Sequence, residues 1–304
     1  MGQKEGPVKA ATARTAAGFQ NILFATDFSG AADKAIPYVK EIAKRYDANL
    51  VALQVHPPVV NPMTPPQTWA ADAAAAETRD RTHREHLLST FVGIPTTVLI
   101  EEGGIQTGLQ CAIERYHIDL VVIGTRGRTG VSKLLLGSTA EEILRTVTCP
   151  VLTIGPHADP SREPNGQIRE ILYATDFASQ TQTAAAYAVS LAEEFQARLV
   201  LLHVIARQEA NDLVMASDIV ESSKALLQKL VPAEAFNWCS PEYYVEDGSP
   251  AEKILELAHL RESDLIVLGV KPGKGVPGAA THLPIATAHK IISQAACPVL
   301  TVRS

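Results

Sequence analysis

Residues 124–139, Gly-Thr-Arg-Gly-Arg-Thr-Gly-Val-Ser-Lys-Leu-Leu-Leu-Gly-Ser-Thr, hold the residue types that cradle a phosphate chain. Gly124 and Gly127 are separated by two residues, and nine more separate Gly127 from Gly137, Ser138 and Thr139. Bare glycine backbone lets N–H groups face an anion, and a helix N-terminus adds roughly half a positive charge. Arg126, Arg128 and Lys133 stand in the same loop, and one of them is expected on a phosphate. Asp27 is the acidic counterpart, in Ala-Thr-Asp-Phe-Ser at the end of an apolar run. It suits a ribose, a metal-bound phosphate, or simply the cap of the turn that follows. Ser138-Thr-Ala-Glu141 also reads as an ordinary capping box, although Gly137 and the upstream glycines are not needed for one.

Other chemistry-bearing residues carry less. His83 and His86 share a helix face, but no third ligand is placed to complete a metal site. His56 and His203 stand at strand ends as packing residues. Gly269-x3-Gly273-Lys274-Gly275 is one residue short of a P-loop and lacks its Ser or Thr. No Gly-x-Gly-x-x-Gly follows a first strand, so a dinucleotide fingerprint is absent.

Positioning these groups requires strands that end beneath them. In the first half, strands are expected at Ile22–Ala25, Leu50–Val55, Thr96–Ile100, Leu120–Ile123 and Val151–Ile154. Between them, Ala32, Ala35, Ile36, Val39, Ile42, Ala43 and Tyr46 mark one helical face. Further helices are expected around Trp69–Thr90, over Ile105–Tyr116 and from Ser138 to Val147. This β-α alternation with near-continuous apolar strands predicts a parallel sheet covered by helices on both faces. Ligands in such sheets sit beyond the strand C-termini, where Asp27, Val55 and the Gly124 loop converge.

The chain then repeats itself. Asn21–Ser29 returns as Glu170–Ala178, Leu50–Val55 as Leu199–Val204, Asp119–Gly124 as Asp264–Gly269, and Cys149–Thr153 as Cys297–Thr301. Four matched segments in one order mean a duplicated domain of about 140 residues, long enough to hold its own core. The expected division is a loose tail over 1–19, a first domain at 20–155, a linker at 156–167 and a second domain at 168–304. In the second half, Ser249, Pro250 and Glu252 predict a capped helix start closed by a capping box.

Composition narrows the function classes. The 304 residues are 46% hydrophobic and 20% charged, with a net charge of −6. No basic stripe is present, which argues against nucleic acid; Arg79, Arg81 and Arg84 are interleaved with Glu77, Asp80 and Glu85 on a solvated helix face. The longest apolar runs are strand-sized, which argues against a membrane span. The N-terminus lacks the apolar core of a secretory signal. Cys149 and Cys297 are repeat mates, Cys111 and Cys239 have none, and all four are read as reduced, in a cytoplasmic protein.

On the Ala-Thr-Asp-Phe-Ser opening, the Gly-x2-Gly-x9-Gly-Ser loop and the Cys-Pro-Val-Leu terminal strand, both halves resemble universal stress protein domains. The resemblance spans roughly residues 20–154 and 168–303, and the glycine loop resembles that of the ATP-binding branch. It implies two tandem doubly wound parallel five-stranded sheets flanked by helices, of the Rossmann-like type also seen in the adenine-nucleotide alpha-hydrolases. It implies ATP contacts at Ala25, Asp27, Val55, Ile123, Gly124, Arg126, Gly127, Gly137, Ser138 and Thr139, with Asp27 near Mg held through the phosphates. Val55 would turn its backbone to adenine, and Gly137, Ser138 and Thr139 would hold the phosphates. The terminal strands, Val151–Ile154 and Val299–Val302, would bring the two halves together as an intramolecular pseudo-dimer, and a homodimer of chains is the default assembly.

The second half departs from this pattern. Gly137-Ser138-Thr139 becomes Ile285-Ala286-Thr287, and the loop Lys271–Pro277 is longer. A β-branched residue where a phosphate needs bare backbone blocks close approach, so the second half is not expected to bind ATP in the same way. Three functions follow for the whole: an ATP-binding stress sensor, a slow ATPase or autophosphorylating enzyme, or a nucleotide-free scaffold. The enzyme reading lacks an evident base in the loop.

Overall fold

The computed structural model describes residues 18–57, 69–125, 137–159, 165–178, 181–205, 213–270 and 283–303. In the first half the strands are β1 (Asn21–Ala25), β2 (Asn49–His56), β3 (Thr96–Glu102), β4 (Leu120–Gly124) and β5 (Val151–Ile154). Between them run α1 (Gly30–Asp33), α2 (Ile36–Tyr46), α3 (Trp69–Thr90), α4 (Ile105–Tyr116) and α5 (Ser138–Thr146). The second half repeats this with β6 (Glu170–Thr175), α6 (Thr181–Phe195), β7 (Arg198–Ile205), α7 (Leu213–Lys229), β8 (Glu242–Asp247), α8 (Pro250–Leu260), β9 (Leu265–Gly269), α9 (Leu283–Gln294) and β10 (Val299–Val302).

The ten strands form one sheet in the order β3-β2-β1-β4-β5-β10-β9-β6-β7-β8. Every neighbouring pair is parallel except β5 and β10, which meet antiparallel with Leu152 opposite Leu300. Two parallel five-stranded sheets, as the sequence predicts, are thus fused edge to edge. Alternate side chains feed two cores. Leu50 and Ala52 join the layer that contains α2 and α6 residues, while Val51 and Leu53 join the layer built from α4, α5, α8 and α9.

The helix expected as one piece over Ala32–Tyr46 is two. Pro37 lies in the first turn of α2, and a proline ring clashes with the carbonyl four residues back, here that of Asp33, where α1 ends. The capping box expected at α8 does not form either. Ser249 is the N-cap but makes no side-chain capping bond, and Glu252 instead accepts from Lys290 Nζ of α9 at 2.9 Å. A full charge on a neighbouring helix outcompetes a backbone N–H for that carboxylate.

Contacts across the seam involve more than the two strands. Phe19, only 2% exposed, stacks on Tyr187 of α6 at 5.7 Å, and Tyr46 meets Phe195 edge-on at 6.4 Å. Lys34 Nζ donates to the carbonyls of Pro156 and Ala158. Gly155 lies so close to α9 that a Cβ would sit 2.4 Å from the Ile292 carbonyl oxygen. None of the four cysteines is in a disulfide, and burial pushes the Cys149 thiol up to about 11. Among the described residues no helix is long and apolar enough to cross a membrane.

Candidate functional site

At the C-terminal ends of β1, β2 and β4 a cleft of about 210 Å³ opens. Strand β1 delivers Ala25 and then Thr26 and Asp27; β2 delivers Val55; β4 delivers Ile123 and Gly124. The start of α5 closes the opposite wall with Gly137 and Thr139. The sheet order explains the convergence: β1 lies between β2 and β4, and chain direction across the sheet reverses there, so a crevice forms above it.

Local geometry makes each wall. Asp27 Oδ1 accepts from the Ser29 N–H at 3.0 Å, and Thr26 Oγ1 accepts from the Phe28 N–H at 3.0 Å. Together they hold Phe28 at φ 57, a left-handed conformation uncommon for a bulky residue. Ser29 then caps α1 by accepting from the Ala32 N–H. Asp27 therefore does the capping work that its sequence context allows, and it also lines the cleft. Phe28 stacks on His83 of α3 at 4.1 Å, and His83 Nδ1 donates to the buried Gln54 Oε1 at 2.9 Å.

Gly124 has a packing reason: a Cβ there would stand 2.6 Å from the Ala31 carbonyl oxygen, so α1 can lie against the end of β4 only over glycine. Gly137 donates its N–H to the Thr125 carbonyl at 3.2 Å, and a Cβ would come within 3.1 Å of that oxygen. Gly137, not Ser138, is the N-cap of α5, and Glu141 donates its N–H to the Gly137 carbonyl. The box over Ser138–Glu141 is thus one residue out of register, with Ser138 already inside the helix. A glycine cap offers no side-chain acceptor, which leaves the first-turn amides of α5 to another acceptor.

Of the ten residues expected at the site, Ala25, Asp27, Val55, Ile123, Gly124, Gly137 and Thr139 line one cleft. Arg126, Gly127 and the Ser138 side chain lie outside the described residues, as do Arg128 and Lys133, the loop at Lys271–Pro277 and the Ile285 side chain. Sequence reasoning missed Thr26, Ala32, Ile105, Thr125, Ala140 and Ile143, which also line the cleft. Thr26 was legible as the neighbour of Asp27; Ile105 was not, because it begins a helix far along the chain and reads as ordinary core. Among the described residues no group of three His, Cys, Asp or Glu side chains could hold a metal ion.

The family model described as "Universal stress protein family" matches residues 18–155 and again 167–303. A universal stress protein of Mycolicibacterium smegmatis is 26% identical over 302 residues, covering 93% of this chain and 96% of its own length. One from Thermus aquaticus is 30% identical over 136 residues, covering 45% of this chain and 98% of its own. Among solved structures, a universal stress protein from Archaeoglobus fulgidus superposes with a TM-score of 0.69 at 18% identity, covering 93% of this chain and 98% of that one. At that identity the superposition speaks for the fold.

Proposed function

The chain belongs to the universal stress protein family, with one family domain matched in each half, and from that premise we propose that the first half binds ATP and acts as a nucleotide-dependent sensor or regulator in a stress response. The observation that carries this reading is the pairing of a glycine-capped helix N-terminus with a carboxylate across one cleft: Gly137 caps α5 without a side chain, and Asp27 lines the facing wall. The apolar wall of Val55, Ile105 and Ile123 suits a base, and the α5 amides suit phosphates. The cleft lies below the roughly 300 Å³ at which ligand pockets usually begin, so it seats the nucleoside and leaves the phosphates at its rim. Asp27 is the one carboxylate lining the cleft among the described residues. Mg²⁺ bound there would take its other ligands from phosphates and water, the usual pattern for that ion.

Turnover has less behind it. Among the described residues Asp27 is also the one titratable side chain in that lining, and one of its oxygens already accepts from Ser29. The second half, with Ile285 in place of Gly137, serves in our reading as the pseudo-dimer partner rather than a second ATP site. A cytoplasmic location and pairing of two chains complete the proposal.

Calorimetric titration of ligand-stripped protein with Mg-ATP tests it. One site per chain is the expected result. Two sites would overturn the reading of the second half, and none, in folded protein, would overturn the sensor. At a hundredfold excess of ATP over its dissociation constant, occupancy adds about 2.7 kcal/mol to folded-state stability, enough to couple nucleotide level to the state of the protein.

A further inference from the structure

Helix α3 is long but shallowly seated. Of its 22 residues only Ala76 and Leu87 are buried, although helices draw most of their stability from burying an apolar face. Arg84 Nη1 ties it to the Val98 carbonyl of β3 at 2.8 Å. Its other ties reach the strand ends behind the cleft. His83 Nδ1 donates to Gln54 Oε1 at 2.9 Å, and the His83 ring stacks on Phe28 at 4.1 Å, with His86 tilted against the same ring at 5.9 Å. Asp80 Oδ2 lies 3.5 Å from His56 Nε2. Each of these partners is the chain neighbour of a cleft residue: Gln54 and His56 flank Val55, and Phe28 follows Asp27. Alternation along a strand sends Val55 to the cleft and its two neighbours to the opposite face.

The second half supplies an internal comparison. Its turn is built alike: Thr175 Oγ1 accepts from the Phe177 N–H, Asp176 Oδ1 accepts from the Ala178 N–H, and Phe177 stands at φ 56. An imidazole lies against Phe177 as well, at 4.3 Å, but it belongs to His203 of β7, the repeat mate of Gln54. His203 Nδ1 turns to the Thr175 carbonyl at 2.9 Å. In that half the ring contact stays within the strand ends. In the half with the cleft, it passes from the turn to a helix.

We propose that His83 is a positioning residue for the nucleotide site: through Phe28 it joins the Asp27 turn to α3, so that a nucleotide held at Asp27 tightens α3. The proposal rests on the reading of the first half as a nucleotide site. The ring over His83 and the carboxylate in the cleft belong to one turn, fixed by the bonds from Phe28 to Thr26 and from Ser29 to Asp27. A ligand that restrains Asp27 restrains Phe28 with it. A helix with little burial opens locally at small cost, and ordering one of its few ties raises that cost. The linkage is reciprocal, so loss of the ring contact weakens the nucleotide. His83 does not line the cleft, and its effect on the ligand therefore passes through Phe28.

Calorimetry with Mg-ATP and amide hydrogen exchange test this on the full-length protein, His83→Ala and His83→Phe, with thermal melts to show that each is folded. In wild type, saturating Mg-ATP is expected to slow exchange over residues 69–90 by about fivefold, a factor that one aromatic contact can pass on. His83→Ala is expected to bind Mg-ATP about three- to tenfold more weakly and, at saturation, to show no slowing over 69–90. His83→Phe, which keeps a ring against Phe28, is expected to retain both. Binding to wild type without slowing over 69–90 would overturn the role of His83 while leaving the nucleotide site standing, and that comparison needs no variant to fold. So would unchanged affinity and slowing in His83→Ala, or a loss in His83→Phe equal to that in His83→Ala. No binding of Mg-ATP to folded wild type would remove the site itself, and the linkage with it.

Discussion

At the scale of single residues, the site depends on glycines that do different jobs. Gly124 is bare so that α1 can touch β4; Gly137 is bare where α5 begins. Replacing Gly137 with Val puts a branched side chain against the Thr125 carbonyl and over the first-turn amides. We expect ATP affinity to fall by on the order of a hundredfold or more by calorimetry, with a stability loss of about 1 kcal/mol, the usual size of an N-cap effect. An unchanged affinity would mean that the glycine loop only makes a turn. The glycines and Asp27 were legible because their types are unusual at those positions. Glu170 was not. Its place in the repeat is taken by Asn21, yet it is 1% exposed and paired with Arg261 and Arg198, partners that stand far away in the chain.

At the scale of elements, the seam strands carry an asymmetry. Thr301 Oγ1 donates to the Val151 carbonyl at 3.3 Å, while its repeat mate Thr153 has a buried hydroxyl with no partner among the described residues. Thr153→Val is expected to leave stability equal or raise it by about 1 kcal/mol, and Thr301→Val to lower it by a similar amount, because only the second removes a made hydrogen bond. Chemical denaturation of the two variants compares them directly. Helix α9 carries a second such group. His289 Nε2 is buried without a partner among the described residues, and burial holds its pKa below the ordinary 6.5 against an opposing pull from Glu141. The unfolded chain therefore takes up the proton first. The stability His289 contributes is complete above pH 6.5 and is lost as pH falls from there through the lower folded value. Midpoints of unfolding measured from pH 7.5 down to 5 should decline less steeply in His289→Phe than in wild type; identical slopes would show that another group governs the acid limb.

At the scale of the whole molecule, the antiparallel β5–β10 contact turns two sheets into one and hides an edge from each half. Val151, Leu152, Ile154, Val299, Leu300 and Val302 are buried there, and an exposed apolar strand edge pairs with whatever it meets. Residues 18–155 and 167–303 made as separate chains are therefore expected to co-elute as a one-to-one complex in size-exclusion chromatography; two separate monomers would show that the linker, not the seam, holds the halves together. By itself the sequence determined the strands, most helix limits and the duplication, because periodicity and turn chemistry are written among near neighbours. Only the tertiary structure decided that Gly137 rather than Ser138 caps α5 and that Glu252 leaves its own helix for Lys290. Each of those outcomes depends on which distant groups packing brings within bonding distance, and a local pattern carries no record of that.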